Sequence, residues 1–270
     1  PSISSDGRYV VFASDATDLV VGDTNAARDI FLFDSQTGLV RRISVSQQGA
    51  QGNGASNNPA ISANGRYVAF ESNANNLVLG DTNGFSDIFV VDTLTGLIVR
   101  ASGANATGGQ ANNPSFRPAM SSDGRYVVFE STATNLTATA TTVGISHVYL
   151  YDRQSTGAGS FDVSTTTKVI DADVTTPLTV AGNANAIQAK ISSDGTMVAF
   201  ASKATNLVAP ATTASRQHVY VRATANVGTA TSGIKQVSVV TTTAAEGDGD
   251  SQTPSLSSDG HYVVFASLAT

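Results

Sequence analysis

The chain has no cysteine and no tryptophan, and charged residues make up only 13% of its 270 positions. Without cysteine there can be no disulfide, no thiolate metal site and no cysteine nucleophile. The 15 lysines and arginines are outnumbered by 21 aspartates and glutamates, for a formal net charge of −6. That balance opposes binding to polyanionic phosphate, so no nucleic-acid partner is expected, and an anionic membrane surface is equally unfavourable. No apolar run approaches the roughly 18 residues of a membrane-crossing helix, so no transmembrane segment is expected. Familiar catalytic signatures are missing as well. There is no Gly-x-Ser-x-Gly elbow, His-Glu-x-x-His pair, phosphate-binding P-loop or dinucleotide fingerprint. No catalytic residue is assigned on sequence grounds.

What the chain does have is repetition. Pro1-Ser-Ile-Ser-Ser-Asp6-Gly7-Arg8-Tyr9-Val10-Val11-Phe12-Ala13-Ser14 returns four more times, anchored on Gly65, Gly124, Gly195 and Gly260. A period of roughly 60 residues suits one four-stranded propeller blade with generous loops. Each copy opens with a short Pro-x-Ile-Ser strand, marked by Ile3, Ile61, Met120, Ile191 and Leu256. Asp-Gly or Asn-Gly follows, a strong hairpin signal because such turns need positive φ. A Tyr-Val-x-Phe strand comes next. The third strand is Asp29–Phe33, Asp87–Val91, His147–Tyr151 or His218–Val221. A second turn ends in Thr37-Gly38, Thr95-Gly96 or Thr156-Gly157, and a fourth strand completes the unit. The middle strands are continuously apolar, as expected of strands packed on both faces. The fold class expected is all-β, a β-propeller of four-stranded antiparallel blades. Four blades are complete (1–58, 59–117, 118–188 and 189–253). The fifth, 254–270, has only its first two strands. Because the chain starts at Pro1 and copy five stops inside the motif, it is expected to be a fragment of a longer protein.

These residues resemble the TolB-like, or WD40-like, β-propeller repeat. The likeness rests on Ser-x-Asp-Gly-Arg-Tyr-Val-x-Phe-x-Ser, then Asn-Leu-Val-x-Gly-Asp-Thr-Asn, then Asp-Ile-Phe-Val-x-Asp and Thr-Gly. It covers nearly the whole chain. Copies three and four lose Gly-Asp-Thr-Asn, and Arg222 stands where the other copies have Asp34, Asp92 and Asp152. The resemblance implies a bacterial protein that is periplasmic, secreted or attached to the cell surface. It also implies a non-catalytic scaffold that binds a protein, or alternatively a glycan. A second implication is the propeller portion of a larger enzyme, as a hydrolase gate or a polysaccharide-active propeller.

One local feature points to a metal. Asp23-Thr-Asn25-x-x-x-Asp29 recurs as Asp81-Thr-Asn83-Gly84-x-x-Asp87. Oxygen donors at alternate positions of a loop suit Ca²⁺, so Asp23, Asn25, Asp29, Asp81, Asn83 and Asp87 are candidate calcium ligands. The plainer account is a turn, in which Asp and Asn bond their own backbone. Glu246-Gly-Asp248-Gly-Asp250 is a second acidic loop that could hold a cation or simply be solvated. His147 and His218 replace Asp29 and Asp87 at the start of the third strand, which suggests a shared structural role. Arg8, Arg66 and Arg125 follow the hairpin turn and could either grip an acidic partner or pair locally. Glu71 and Glu130 occupy equivalent places where other copies have Ala13, Ala201 and Ala266. An acid–base pair of glycosidase type would need two such carboxylates.

Overall fold

The computed structural model describes residues 1–104, 109–139, 141–154, 164–172, 180–212, 216–226, 233–240, 243 and 245–270. The first sheet is formed by β1 (Ser2–Ile3), β2 (Tyr9–Ser14), β3 (Asp29–Asp34) and β4 (Leu39–Arg42). The second holds β5 (Ser56–Ile61), β6 (Tyr67–Ser72), β7 (Asp87–Asp92) and β8 (Ile98–Arg100). A two-residue hairpin follows, β9 (Gly103–Ala104) with β10 (Gly109–Gln110). The third sheet is β11 (Ser115–Met120), β12 (Tyr126–Ser131), β13 (His147–Gln154) and β14 (Ser164–Val169). The fourth is β15 (Ala186–Ile191), β16 (Met197–Ser202), β17 (His218–Ala223) and β18 (Ile234–Gln236). The last pair is β19 (Ser251–Leu256) with β20 (Val263–Ser267). Every four-stranded sheet is an antiparallel meander in sequence order. The architecture is all-β: four complete blades and a two-stranded fifth sheet. The second turn expected in copy three, ending at Gly157, lies outside the described residues.

Continuous apolar, β-branched and aromatic runs make the middle segments strands, and the blade period makes neighbours bury each other. Val68, Ala69 and Phe70 are fully buried, as are Val127 to Phe129 and Val198 to Phe200. Phe70 and Phe89 face each other across their sheet at 5.9 Å, Phe129 and Tyr149 at 5.7 Å, Phe200 and Tyr220 at 5.6 Å. Such ring pairs contribute beyond the area they bury.

Two hydrogen-bond series stitch the blades together. At the hairpin end, Ser5 N–H donates to Ala63 O, Ala63 to Ser122, Ser122 to Ser193 and Asp194 to Ser258. At the opposite end, the first strands of blades two to five donate from Ser56, Ser115, Ala186 and Ser251 to the carbonyls of Arg28, Ser86, Ser146 and Gln217. At the hairpin end the turn glycines do a second job. Gly124 has φ +72°, and a Cβ on it would lie 2.3 Å from the Tyr67 ring of the preceding blade. The Asp-Gly signal therefore reflects both the turn and the close approach of the next blade.

The first strand of each later blade is longer than its Pro-x-Ile-Ser core. It starts three residues before Pro59, Pro118, Ala189 and Pro254, and its register slips just there. Proline has no N–H for the ladder, so a bulge absorbs it. Blade four keeps the bulge with Ala189. The residue before each bulge position is left-handed: φ is +49° at Asn58, +49° at Arg117, +58° at Gln188 and +51° at Thr253.

Candidate functional site: the mouth of the central channel

Those bulges frame a cavity of about 750 Å³ lined by the first strands of blades two to five and, on the blade-one side, by Pro1, Ala13 and Arg28. Arg28, Asn57, Asn58, Arg117, Glu130, Gln188, Lys190 and Thr253 contribute its polar groups, with Pro59, Pro118 and Pro254 between them. Non-glycine residues held at positive φ store strain, and such strain gathers at ligand clamps. In a chain of net charge −6, three cationic side chains and one carboxylate meet in this cavity.

A chain of bonds fixes the rim. Arg117 N–H donates to Glu71 Oε2 of the preceding blade at 2.8 Å. The Arg117 guanidinium donates to Glu130 Oε2 at 2.8 Å. Gln188 N–H donates to Glu130 Oε1 at 2.7 Å, and Gln188 Oε1 accepts from Thr253 N–H at 2.8 Å. Glu71 and Glu130 thus serve as inter-blade ties, each holding the left-handed residue of the next blade. Glu130 is buried, while the Arg117 side chain is 63% exposed to the cavity. Arg28 lies across the mouth, its Nε 3.1 Å from both oxygens of Asp15 and its Nη1 3.4 Å from Asn57 Oδ1.

In each Asp-Thr-Asn loop the two aspartates lie against an arginine of the same blade. Arg42 Nη1 lies 3.0 Å from Asp23 and 3.1 Å from Asp29. Arg100 Nη1 lies 3.2 Å from Asp81 and 3.7 Å from Asp87. Asp29 and Asp87 are fully buried and also accept from Ser44 and Ser102. Asn25 and Asn83 each form an Asx turn, accepting from Ala27 and Phe85 N–H. Their amides bridge Asp29 or Asp87 to the next connection at Gly52 O and Ala111 O. Gln51 and Gln110 clasp Thr24 and Thr82 through backbone and hydroxyl. Burial pushes the Asp87 carboxyl up, and burial together with the Asp87 charge does the same at Asp81. Among the described residues, no group of three or more His, Asp or Glu side chains gathers as a metal centre.

Arg42 and Arg100 were missed from the sequence, although each follows its turn glycine, Gly38 or Gly96, by four residues. Their blade-three and blade-four counterparts, from the strand register, are Val169 and Gln236. There the acid becomes histidine. His147 Nδ1 lies 2.8 Å from Asp171, and both are buried. His218 meets Ser238 at 3.2 Å through Nδ1 and Glu246 at 2.9 Å through Nε2. Each histidine thus engages its own blade, in the place where Asp29 and Asp87 meet Ser44 and Ser102. Of the Glu246–Asp250 loop, Asp248 accepts from Thr270 and Asp250 from Gln217 N–H.

Arg8, Arg66 and Arg125 pair within their own blades, with Asp34, Asp92 and Asp152 at 2.8 to 2.9 Å. Each also lies over the tyrosine that follows it. Blade four has lost the pair. Arg222 is buried and donates to Ile170 O at 2.6 Å, and burial lowers its guanidinium to about 10.

Four-stranded meanders around a lined axis define a β-propeller. Comparison with solved structures narrows this. The putative TolB from Agrobacterium tumefaciens aligns with 99% of this chain and 73% of its own, at 14% identity and TM-score 0.50. The tricorn protease aligns with 99% of this chain and 25% of its own, at 15% identity and TM-score 0.50. TolB from Acinetobacter baumannii is 20% identical over 98% of the chain, with TM-score 0.47, and the chain spans about half of that protein's length, 47%. The chain has a TolB-like propeller fold. No family model matches it, and no curated protein matches it in sequence.

Proposed function

We propose that this propeller is a non-catalytic binding module that recognises a protein at its channel mouth, in the periplasm, at the cell surface or in the secreted space. The observation that carries this reading is the 750 Å³ cavity, whose rim presents exposed Arg28, Arg117 and Lys190 on a backbone locked by inter-blade hydrogen bonds. A rim fixed before binding loses little entropy when a partner docks. Cations concentrated on an acidic molecule orient an acidic partner toward that one face. The test is capture from an envelope extract by wild type, by Arg28→Glu/Lys190→Glu, and by Lys168→Glu on the outer strand β14. Loss of the captured partner with the double variant alone supports the channel mouth. Equal capture by all three overturns it.

Calcium at the Asp23-Asn25-Asp29 and Asp81-Asn83-Asp87 loops belongs with this reading as a stabiliser of the same scaffold. It would have to displace Arg42 and Arg100 from carboxylates they already neutralise. A rise in Tm with Ca²⁺ over chelator, lost in Asp81→Ala, supports calcium; an unchanged Tm removes it.

A further inference from the structure

The rim repeats, and one repeat is incomplete. The left-handed residue in blades three, four and five has its N–H taken by a side-chain oxygen from the preceding blade: Glu71, Glu130 and Gln188. In blade two that residue is Asn58, φ +49°. The position equivalent to Glu71 and Glu130 in blade one is Ala13, since Ala13, Glu71 and Glu130 pair with Ile30, Ile88 and Val148. A methyl group offers no acceptor, and Asn58 is exposed in the cavity wall.

Around Glu130, one carboxylate oxygen takes a backbone N–H and the other a guanidinium. The Ala13 corner has the same two kinds of donor. The Asn58 amide supplies the N–H. Arg28, 46% exposed and held by Asp15 and Asn57, supplies the guanidinium. Arg28 already has the Asp15 carboxylate; what is missing is the acidic side chain that would take the Asn58 N–H and a guanidinium together. We propose that the Ala13–Arg28–Asn58 corner of the channel mouth is a carboxylate subsite, filled by an acidic group of the ligand where blades two and three supply their own glutamate. Ala13 leaves the room, Asn58 fixes the direction of approach, and Arg28, paired with Asp15, adds its remaining N–H donors. Charge-assisted bonds of this kind are stronger than neutral ones. The inference deepens the channel-mouth reading and rests on it.

The experiment is a ¹⁵N-labelled titration of the whole chain with three acetylated tripeptides. One is Gly-Glu-Gly amide, one is Gly-Gln-Gly amide, and one is Gly-Gly-Gly with a free C-terminus. The expected result is a saturable downfield shift of the Asn58 amide with a Kd in the ~mM range, for a carboxylate peptide and not for the glutamine peptide. The first and third peptides distinguish a side-chain from a terminal carboxylate. Arg28→Gln should weaken the affinity about tenfold. Ala13→Glu should abolish the shift and move the free protein's Asn58 amide downfield, since it would bond that N–H as Glu71 and Glu130 bond those of Arg117 and Gln188. An Asn58 response to the glutamine peptide equal to that of both carboxylate peptides overturns the subsite, as does undiminished binding in a folded Ala13→Glu. If Lys190 and Ser255 respond to all three peptides while Asn58 shows no preference, the mouth binds and only the subsite fails. If no residue of the lining responds to any peptide, both readings fall.

Discussion

At the scale of single residues, two glycines with the same backbone angle separate two costs. A Cβ on Gly38, φ +73°, would meet nothing within 4 Å, whereas one on Gly124, φ +72°, would lie 2.3 Å from the Tyr67 ring. Gly38→Ala incurs the left-handed penalty alone, about 1 kcal/mol. Gly124→Ala adds a clash with a ring fixed between blades and should cost roughly 2 kcal/mol more. Urea unfolding of the two variants checks the difference. The Arg8–Asp34 pair carries a pH signature. Arg8 bonded to Asp34 pulls that carboxyl down to about 2. A carboxyl depressed in the folded state stabilises it above the unfolded value of about 3.9, and this stabilisation is lost as pH falls toward 2. Stability measured against pH should therefore fall less steeply over that window in Asp34→Asn than in the parent.

At the scale of elements, the buried polar side chain that opens the third strand is met within its own blade in two ways. Blades one and two bury an acid beside an arginine and a serine. Blade three buries a histidine beside Asp171, with Val169 in the arginine's place. Removing Arg100 leaves Asp81 and Asp87 buried without a counter-charge, so Arg100→Leu should cost about 3–5 kcal/mol. The deficit should shrink as pH is lowered, because protonation removes the charge that lost its partner. A deficit that stays constant from neutral pH to pH ~4 would show that lost packing, not charge, sets the cost. This compensation was only half legible in the sequence. Asp23, Asn25 and Asp29 advertise a cluster of oxygens, but the cation among them comes from another strand. The strands themselves were legible, since Tyr-Val-x-Phe and Asp-Ile-Phe repeat and their neighbours bury them. The prolines were visible, but not the bulge at that position or the left-handed residue before it. Nor was the bond from Glu130 to Gln188 legible: it joins different blades, and no spacing within one repeat encodes it.

At the scale of the whole molecule, stability follows from neighbours. In a repeat array each unit gains what its interfaces supply, so strands buried more deeply against neighbouring blades should open later. The strands β6, β12 and β16 have their central residues fully buried between adjacent blades. The equivalent strand β2 has one buried position, and β20, which among the described residues pairs only with β19, has none. Tyr262, Val264 and Leu268 are more than two thirds exposed. Local opening follows the density of buried contacts, so amide exchange should resolve this gradient. Amides of Phe70, Phe129 and Phe200 should exchange slowest, that of Phe12 faster, and those of Val264 and Phe265 fastest. The inter-blade bonds at Ala63, Ser122 and Asp194 should share the protection of the middle blades. If all five sheets instead exchanged at one common rate, the chain would open as a single unit. The bonds along the channel rim, from Glu71 to Thr253, would then have to couple the blades more strongly than the burial gradient separates them.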